Sequence, residues 1–171
     1  MLYVFGGLPS AGKSVLSRFL AERLSAVHLR IDSIEQSLKT HAGMDPVGVA
    51  GYVSAYAIAK DNLQLGHTVI ADSVNPIQIT RNAWRQVAEE ARSTICEIEV
   101  VCSDVAQHKG RYLARVPDIA GLVNGPWEDV VNREYEPWAT RNILIDTASV
   151  SIADSQVELL EKVTQFGRDQ D

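Results

Sequence analysis

The chain has 171 residues, enough for one domain with its own core and little room for a second. Sixteen Lys and Arg stand against 22 Asp and Glu, a formal net charge of -6, which argues against a broad nucleic-acid or anionic-membrane surface but leaves room for a local basic site. No apolar run approaches the ~18 residues of a membrane span, and the first residues lack the basic start of a signal peptide, so a cytoplasmic location is expected.

A first strand is expected at 2–6, an apolar run with aromatic and β-branched residues bounded by Gly6 and Gly7. From Gly12 the pattern changes, because Val15, Leu16, Phe19, Leu20 and Leu24 recur on one helical face. Residues 27–31 predict a second strand, with Ser33 opening a short helix. The apolar spacing of 46–65 predicts a helix stopped by Gly66, and 68–71 a third strand. Asn75 and Pro76 supply a helix start, as side-chain cap and first-turn proline, for a helix reaching about Arg92. A fourth strand is expected at 95–102, a fifth at 142–146 and a last helix at 153–166, stopped by Gly167. The intervening 103–141 carries basic residues, glycines, prolines, Trp127 and Trp138. Alternation of strand and helix predicts an α/β protein: one domain over 1–171, a parallel sheet with helices on both faces. Cys96 and Cys102 would lie ~20 Å apart along one strand, so they are expected as buried thiols and not a disulfide. His28, His41, His67 and His108 are scattered, with no cysteine cluster to make a zinc site.

Gly7-Leu8-Pro9-Ser10-Ala11-Gly12-Lys13-Ser14 fits G-x-x-x-x-G-K-[ST] and sits between a strand and a helix, the context that the pattern requires. Glycines let backbone N–H groups turn inward as a nest for phosphate oxygens, and the helix start adds partial positive charge. Gly7, Pro9, Ser10, Ala11, Gly12, Lys13, Ser14 and Val15 are therefore the expected nucleotide site. Lys13 would reach the β- and γ-phosphates, and the Ser14 hydroxyl would face Mg²⁺. An Asn-Lys-x-Asp element for guanine is absent, which favours ATP.

Ligands of an open parallel sheet gather at the carboxyl ends of its strands. Asp32 and Asp72 are expected there, on the same edge as the phosphate loop. One could take a proton from an attacking hydroxyl and the other hold Mg²⁺; either could instead be a helix cap. Asp146 has the same placement and reads as a loop cap, or a contact to the base. Arg111 and Arg115 share one helical face and could meet a triphosphate together, and Arg81 and Arg85 could bind an acceptor.

The phosphate loop, the 30–35 segment, the 72–76 segment, Arg81 with Trp84, and the Arg111/Arg115 pair together resemble the small P-loop kinases related to zeta toxins, chloramphenicol phosphotransferase, gluconate kinase and the kinase domain of polynucleotide kinase. The resemblance implies a P-loop NTPase three-layer sandwich with five parallel strands in the order 2-3-1-4-5. It implies a mobile lid over about 103–141, with Arg111 and Arg115 as its catalytic arginines and Asp32 as the residue that activates the acceptor hydroxyl. Trp127 and Trp138 are expected to pack between lid and sheet, with acceptor stacking as the alternative, and Arg133 lies within reach of the site. The expectation is an ATP- and Mg²⁺-dependent phosphotransferase acting on a hydroxyl of a small molecule, as monomer or homodimer. A nucleotide-binding regulatory module or slow ATPase, and a 5′-hydroxyl polynucleotide kinase, are the alternatives.

Overall fold

The computed structural model describes residues 1–170. Five parallel strands form one sheet in the order β2-β3-β1-β4-β5: β1 (Leu2–Gly6), β2 (Val27–Arg30), β3 (Val69–Asp72), β4 (Ile95–Val101) and β5 (Ile143–Asp146). Side chains alternate across the pleat, so β1 sends Tyr3 and Phe5 to one face and Leu2 and Val4 to the other. On the first face α1 (Lys13–Leu24) and α7 (Ile152–Arg168) close the core with Leu16, Leu20, Leu159 and Val163. On the second, α3 (Ala50–Gln64) and α4 (Gln78–Glu90) contribute Ala55, Ala59, Leu63, Trp84 and Val87. The result is the expected three layers, with both faces of the sheet covered and every residue of the central strand β1 buried.

Three further helices stand at the carboxyl edge of the sheet or beyond it: α2 (Ile31–Ala42), α5 (Val105–Ala114) and α6 (Trp127–Val131). The two cysteines are free and buried, one at each end of β4. No helix among the described residues is long and apolar enough to cross a membrane.

Several boundaries differ from the sequence expectation. Strand β2 stops at Arg30 and hands the chain straight to α2, because Ile31 is drawn into the core as the first helical residue. Helix α3 begins at Ala50 and not at Pro46, since Gly48 takes a left-handed φ of 58° that breaks the helical path. Asn75 is not a helix cap: its backbone is left-handed, and its buried side chain donates to Phe5 O (2.8 Å) and accepts from Trp84 Nε1 (3.1 Å). The helix that it was expected to open starts at Gln78 and ends at Glu90, short of Arg92. Gly167 does not stop α7, which runs through it to Arg168 and is capped at its start by Ser151, whose Oγ accepts from Asp154 N.

Candidate active site

The strand-to-helix turn after β1 builds the floor of the site. Gly7 has a φ of 134°, and a Cβ there would collide with the Val100 carbonyl, so only glycine fits this turn. Ala11 N donates back to Leu8 O (3.2 Å), which curls the loop, and Lys13 Nζ arches over it to Leu8 O (3.1 Å). Ser10 sits at the apex with a left-handed φ of 64°, its hydroxyl buried and without a partner. A curled loop with an unpaired buried hydroxyl and a buried ammonium has the chemistry to receive phosphate oxygens. Burial pushes the Lys13 ammonium below its ordinary pKa, while Asp72 and then Asp32 act against that shift. Both carboxylates are therefore within electrostatic reach of the lysine.

One cleft of about 970 Å³ opens above this loop. Pro9, Ser10, Gly12, Lys13, Ser14 and Val15 line it, while Gly7 and the buried Ala11 shape the loop from behind. Asp32, Asp72, Arg111 and Arg115 line the same cleft, so the expected nucleotide, carboxylate and arginine groups are brought together. Asp72 ends β3, is 2% exposed, and its Oδ2 has no hydrogen-bond partner. Asp32 lies in the first turn of α2.

Arg81 and Arg85, expected near an acceptor, are placed elsewhere. Arg81 is 1% exposed and donates to Asn75 O, Glu136 O and Pro137 O, with its guanidinium 5.1 Å from the Trp138 ring. Arg85 pairs with the buried Glu97 of β4 at 2.8 Å. β4 turns two carboxylates into the protein, and each has its own cation: Arg85 of α4 for Glu97, and Arg141 for Glu99 (3.1 Å). Trp138 is likewise structural. Its ring packs against Gly6, where any Cβ would strike it, in keeping with a packing role.

Other residues of the site carried no motif. Thr147 follows β5 and is a hub: it donates to Ala11 O (2.9 Å) and accepts from Arg111 Nη1 (2.8 Å), whose Nη2 donates to Thr147 O. Asp146 accepts from Ser103 N and Ala148 N, both at 3.0 Å, which makes it a loop cap. His108 Nε2 lies 2.7 Å from Pro9 O and the ring packs edge-on to Trp127, so α5 is anchored to the phosphate loop. Glu35, one turn after Asp32, lies over Gly51 in the cleft wall; burial, then Asp32, raises its carboxyl pKa. Arg133 also lines the cleft and has no ion-pair partner among the described residues. Finally, Asp118, beyond α5, pairs with Arg18 (2.9 Å) and Arg30 (2.8 Å). The Arg30 guanidinium holds the Asp118 carboxyl well below the usual carboxylate range. The 30–35 segment offers a signal for Arg30 and Glu35; the loop of Thr147 is flagged only through Asp146 as a contact to the base, and the loop of Asp118 shows none.

Residues 2–120 match the sequence profile of a family described as an AAA domain. No curated protein matches the chain. Among solved structures, the Mycobacterium tuberculosis APS kinase CysC, in complex with AMPPNP and APS, is similar with a TM-score of 0.70 and 16% identity, covering 95% of this chain and 96% of its own. A gluconokinase from Sinorhizobium meliloti is similar with a TM-score of 0.71 and 14% identity, over 98% and 94% of the two chains. Chaetomium thermophilum Kti12, in complex with ADP-AlF3, gives 0.67 and 23%, over 96% and 98%. At these identities the likeness is one of fold.

Proposed function

The chain belongs to the AAA domain family and has the fold of P-loop kinases, and from that premise we propose that it is an ATP- and Mg²⁺-dependent phosphotransferase acting on a hydroxyl of a small molecule. One observation carries the reading. Buried polar atoms without partners, Ser10 Oγ and Asp72 Oδ2, face a cleft that also gathers Lys13, Asp32, Arg111 and Arg115. Buried polar groups are normally paired, so such a cluster suits a bound polar ligand. The similar structures with AMPPNP and ADP-AlF3 bind nucleotides on the same fold, which supports ATP as the donor.

Phosphoryl transfer asks for positioning and charge neutralisation more than covalent chemistry. Backbone N–H groups of the loop, with Lys13, hold the β- and γ-phosphates. The Ser14 hydroxyl and the Asp72 carboxylate are hard oxygen donors that suit Mg²⁺, directly or through water. Bound there, the ion would neutralise phosphate charge. Asp32 is the base: it accepts the proton of the acceptor hydroxyl as the oxygen attacks phosphorus. Residues 103–141 act as the lid, and Arg111 and Arg115 face the charge that develops during transfer.

Incubation of the protein with γ-labelled ATP, Mg²⁺ and panels of nucleosides, sugars, sugar acids and hydroxyl-bearing antibiotics tests the proposal. Label should pass to one class faster than ATP is hydrolysed without acceptor. Unchanged slow hydrolysis across all panels would mark a regulatory module. Labelling of 5′-hydroxyl oligonucleotides alone would move the assignment to a polynucleotide kinase.

A further inference from the structure

Arg18, Arg30 and Arg133 line the same cleft as Asp32 and Asp72, and none of the three takes part in the Thr147 contact that engages Arg111. In a chain of net charge -6, the cleft lining sets six cationic side chains, Lys13, Arg18, Arg30, Arg111, Arg115 and Arg133, against the four carboxylates Asp32, Glu35, Asp72 and Asp118, an excess that suits anionic ligands. Among Arg18, Arg30 and Arg133, the most constrained is Arg30. It ends β2 opposite Asp72 of β3, its side chain is only 10% exposed, and its buried Nε has no hydrogen-bond partner. Asp72 does not satisfy it, since the two side chains come no closer than 4.0 Å.

What does meet Arg30 and Arg18 is a carboxylate from another part of the chain. Asp118 Oδ2 accepts from both, through Arg30 Nη1 (2.8 Å) and Arg18 Nη2 (2.9 Å). Asp118 is 88 residues from Arg30 in sequence, half-exposed, and carried on an irregular stretch after α5. A forked pair of guanidiniums holding one oxygen of a half-exposed carboxylate is the geometry of an oxyanion receptor with an internal occupant.

We propose that Arg30 and Arg18 form an oxyanion subsite for the acceptor, that the acceptor therefore carries a phosphate, sulfate or carboxylate group in addition to its reactive hydroxyl, and that Asp118 fills this subsite until the acceptor displaces it. The proposal rests on the phosphotransferase reading and names its substrate class. The acceptor anion takes over the bonds of Asp118, which leaves Asp32 free to address the hydroxyl. Because Asp118 follows Arg115 by three residues, its release also frees the stretch that bears that arginine. An internal occupant lowers apparent affinity by the fraction of time that the site is filled.

The experiment is calorimetric titration of inorganic phosphate, sulfate and acetate, at constant ionic strength, into wild type, Asp118→Asn, Arg18→Ala and Arg30→Gln. Each titration is run without nucleotide and again with Mg²⁺ and AMPPNP saturating the phosphate loop. With the loop filled, Asp118→Asn should bind the preferred anion roughly three- to thirtyfold tighter than wild type. Arg18→Ala should weaken that binding, and Arg30→Gln should abolish it, while AMPPNP affinity stays within about twofold. Arg18 is half-exposed, so its variant keeps the test valid if Arg30→Gln fails to fold. Unchanged or weaker anion binding in Asp118→Asn, or anion binding that vanishes once AMPPNP is bound, overturns the proposal. Failure of wild type to bind AMPPNP would instead overturn the phosphotransferase reading, and the nucleotide-free titrations would still report on the arginine pair. The order of the three anions identifies the acceptor's charged group.

Discussion

The phosphate loop and the 103–141 segment meet in one cleft, but they are held there by different means. The loop is fixed by its own backbone: a turn that only Gly7 permits, the Ala11-to-Leu8 hydrogen bond, and a strand and helix that follow without a gap. The 103–141 segment is held mainly by side chains reaching across the chain: His108 to Pro9, Arg111 to Thr147, Asp118 to Arg18 and Arg30, Tyr135 to Glu99, and Trp138 onto Gly6, with one backbone bond from Glu136 N to Pro76 O (2.8 Å). A backbone-held element can lose a side chain and keep its shape, so changes there should alter chemistry alone. A side-chain-held element has no such separation, and its contacts can be opened one at a time, as a lid requires.

The sharpest break of this comparison comes from the carboxylates. Asp32→Asn keeps size and hydrogen bonding but takes no proton, and should lose about 10²–10⁴ in acceptor phosphorylation with nucleotide binding and melting temperature retained. Asp72→Asn should instead raise the Mg²⁺ concentration needed for half-maximal rate. A shifted Mg²⁺ requirement in the Asp32 variant alone would reverse the two roles.

Trp138→Ala tests the side-chain-held region. The ring is 2% exposed, packs on Gly6 and receives Arg81, so its removal should cost about 3–5 kcal/mol, a drop of roughly 6–20 °C in a thermal melt. A drop under about 3 °C would mean that the segment is held by something else. Replacing Arg111 or Arg115 with Ala should slow turnover by roughly 10–10³-fold. The Arg111 variant should also loosen the segment, measured as faster amide exchange over α5, because only Arg111 bonds Thr147. Rates within twofold of wild type for both variants would make them surface arginines.

The smallest expected effect is Glu35→Gln. Burial and Asp32 hold the Glu35 pKa above its ordinary value, so its charge opposes folding once the carboxyl is ionised in the folded protein. The variant should melt about 1–2 °C higher than wild type near pH 8, and the gain should vanish below pH ~4, where the carboxyl is protonated in both folded and unfolded chains. A gain that persists at low pH would trace to packing and not to charge.

The same division governs what the sequence reveals. The phosphate loop was legible because backbone conformation is encoded locally, in glycines and in a motif with fixed spacing. The sheet order and layers followed from the alternation of strands and helices together with the family resemblance. Asp32 and Asp72 were found because strand ends define one edge. Arg81 and Arg85 were misplaced because their partners, Glu136 and Glu97, lie on other elements, and no local spacing announces a buried ion pair. Asn75 was misread for a similar reason: an Asn before a Pro looks like a cap, but the ends of β1 and Trp84 together take its amide. Asp118 shows no signal in the sequence, and the contacts of Thr147 and His108 show none either, because each acts through a carbonyl or a guanidinium that the fold alone brings near.

The account stands most directly on Lys13, the one loop side chain whose sole described bond is to the loop that it serves. Titration of Mg·ATP into wild type and Lys13→Ala by calorimetry, with a parallel thermal melt, measures both halves of the claim. Wild type should bind ATP in a Mg²⁺-dependent way, and the variant should bind at least about tenfold more weakly with a melting temperature unchanged or raised, since a buried ammonium is removed. A folded Lys13→Ala protein that binds ATP as tightly as wild type, or a wild type that binds none, would contradict the assignment of the cleft.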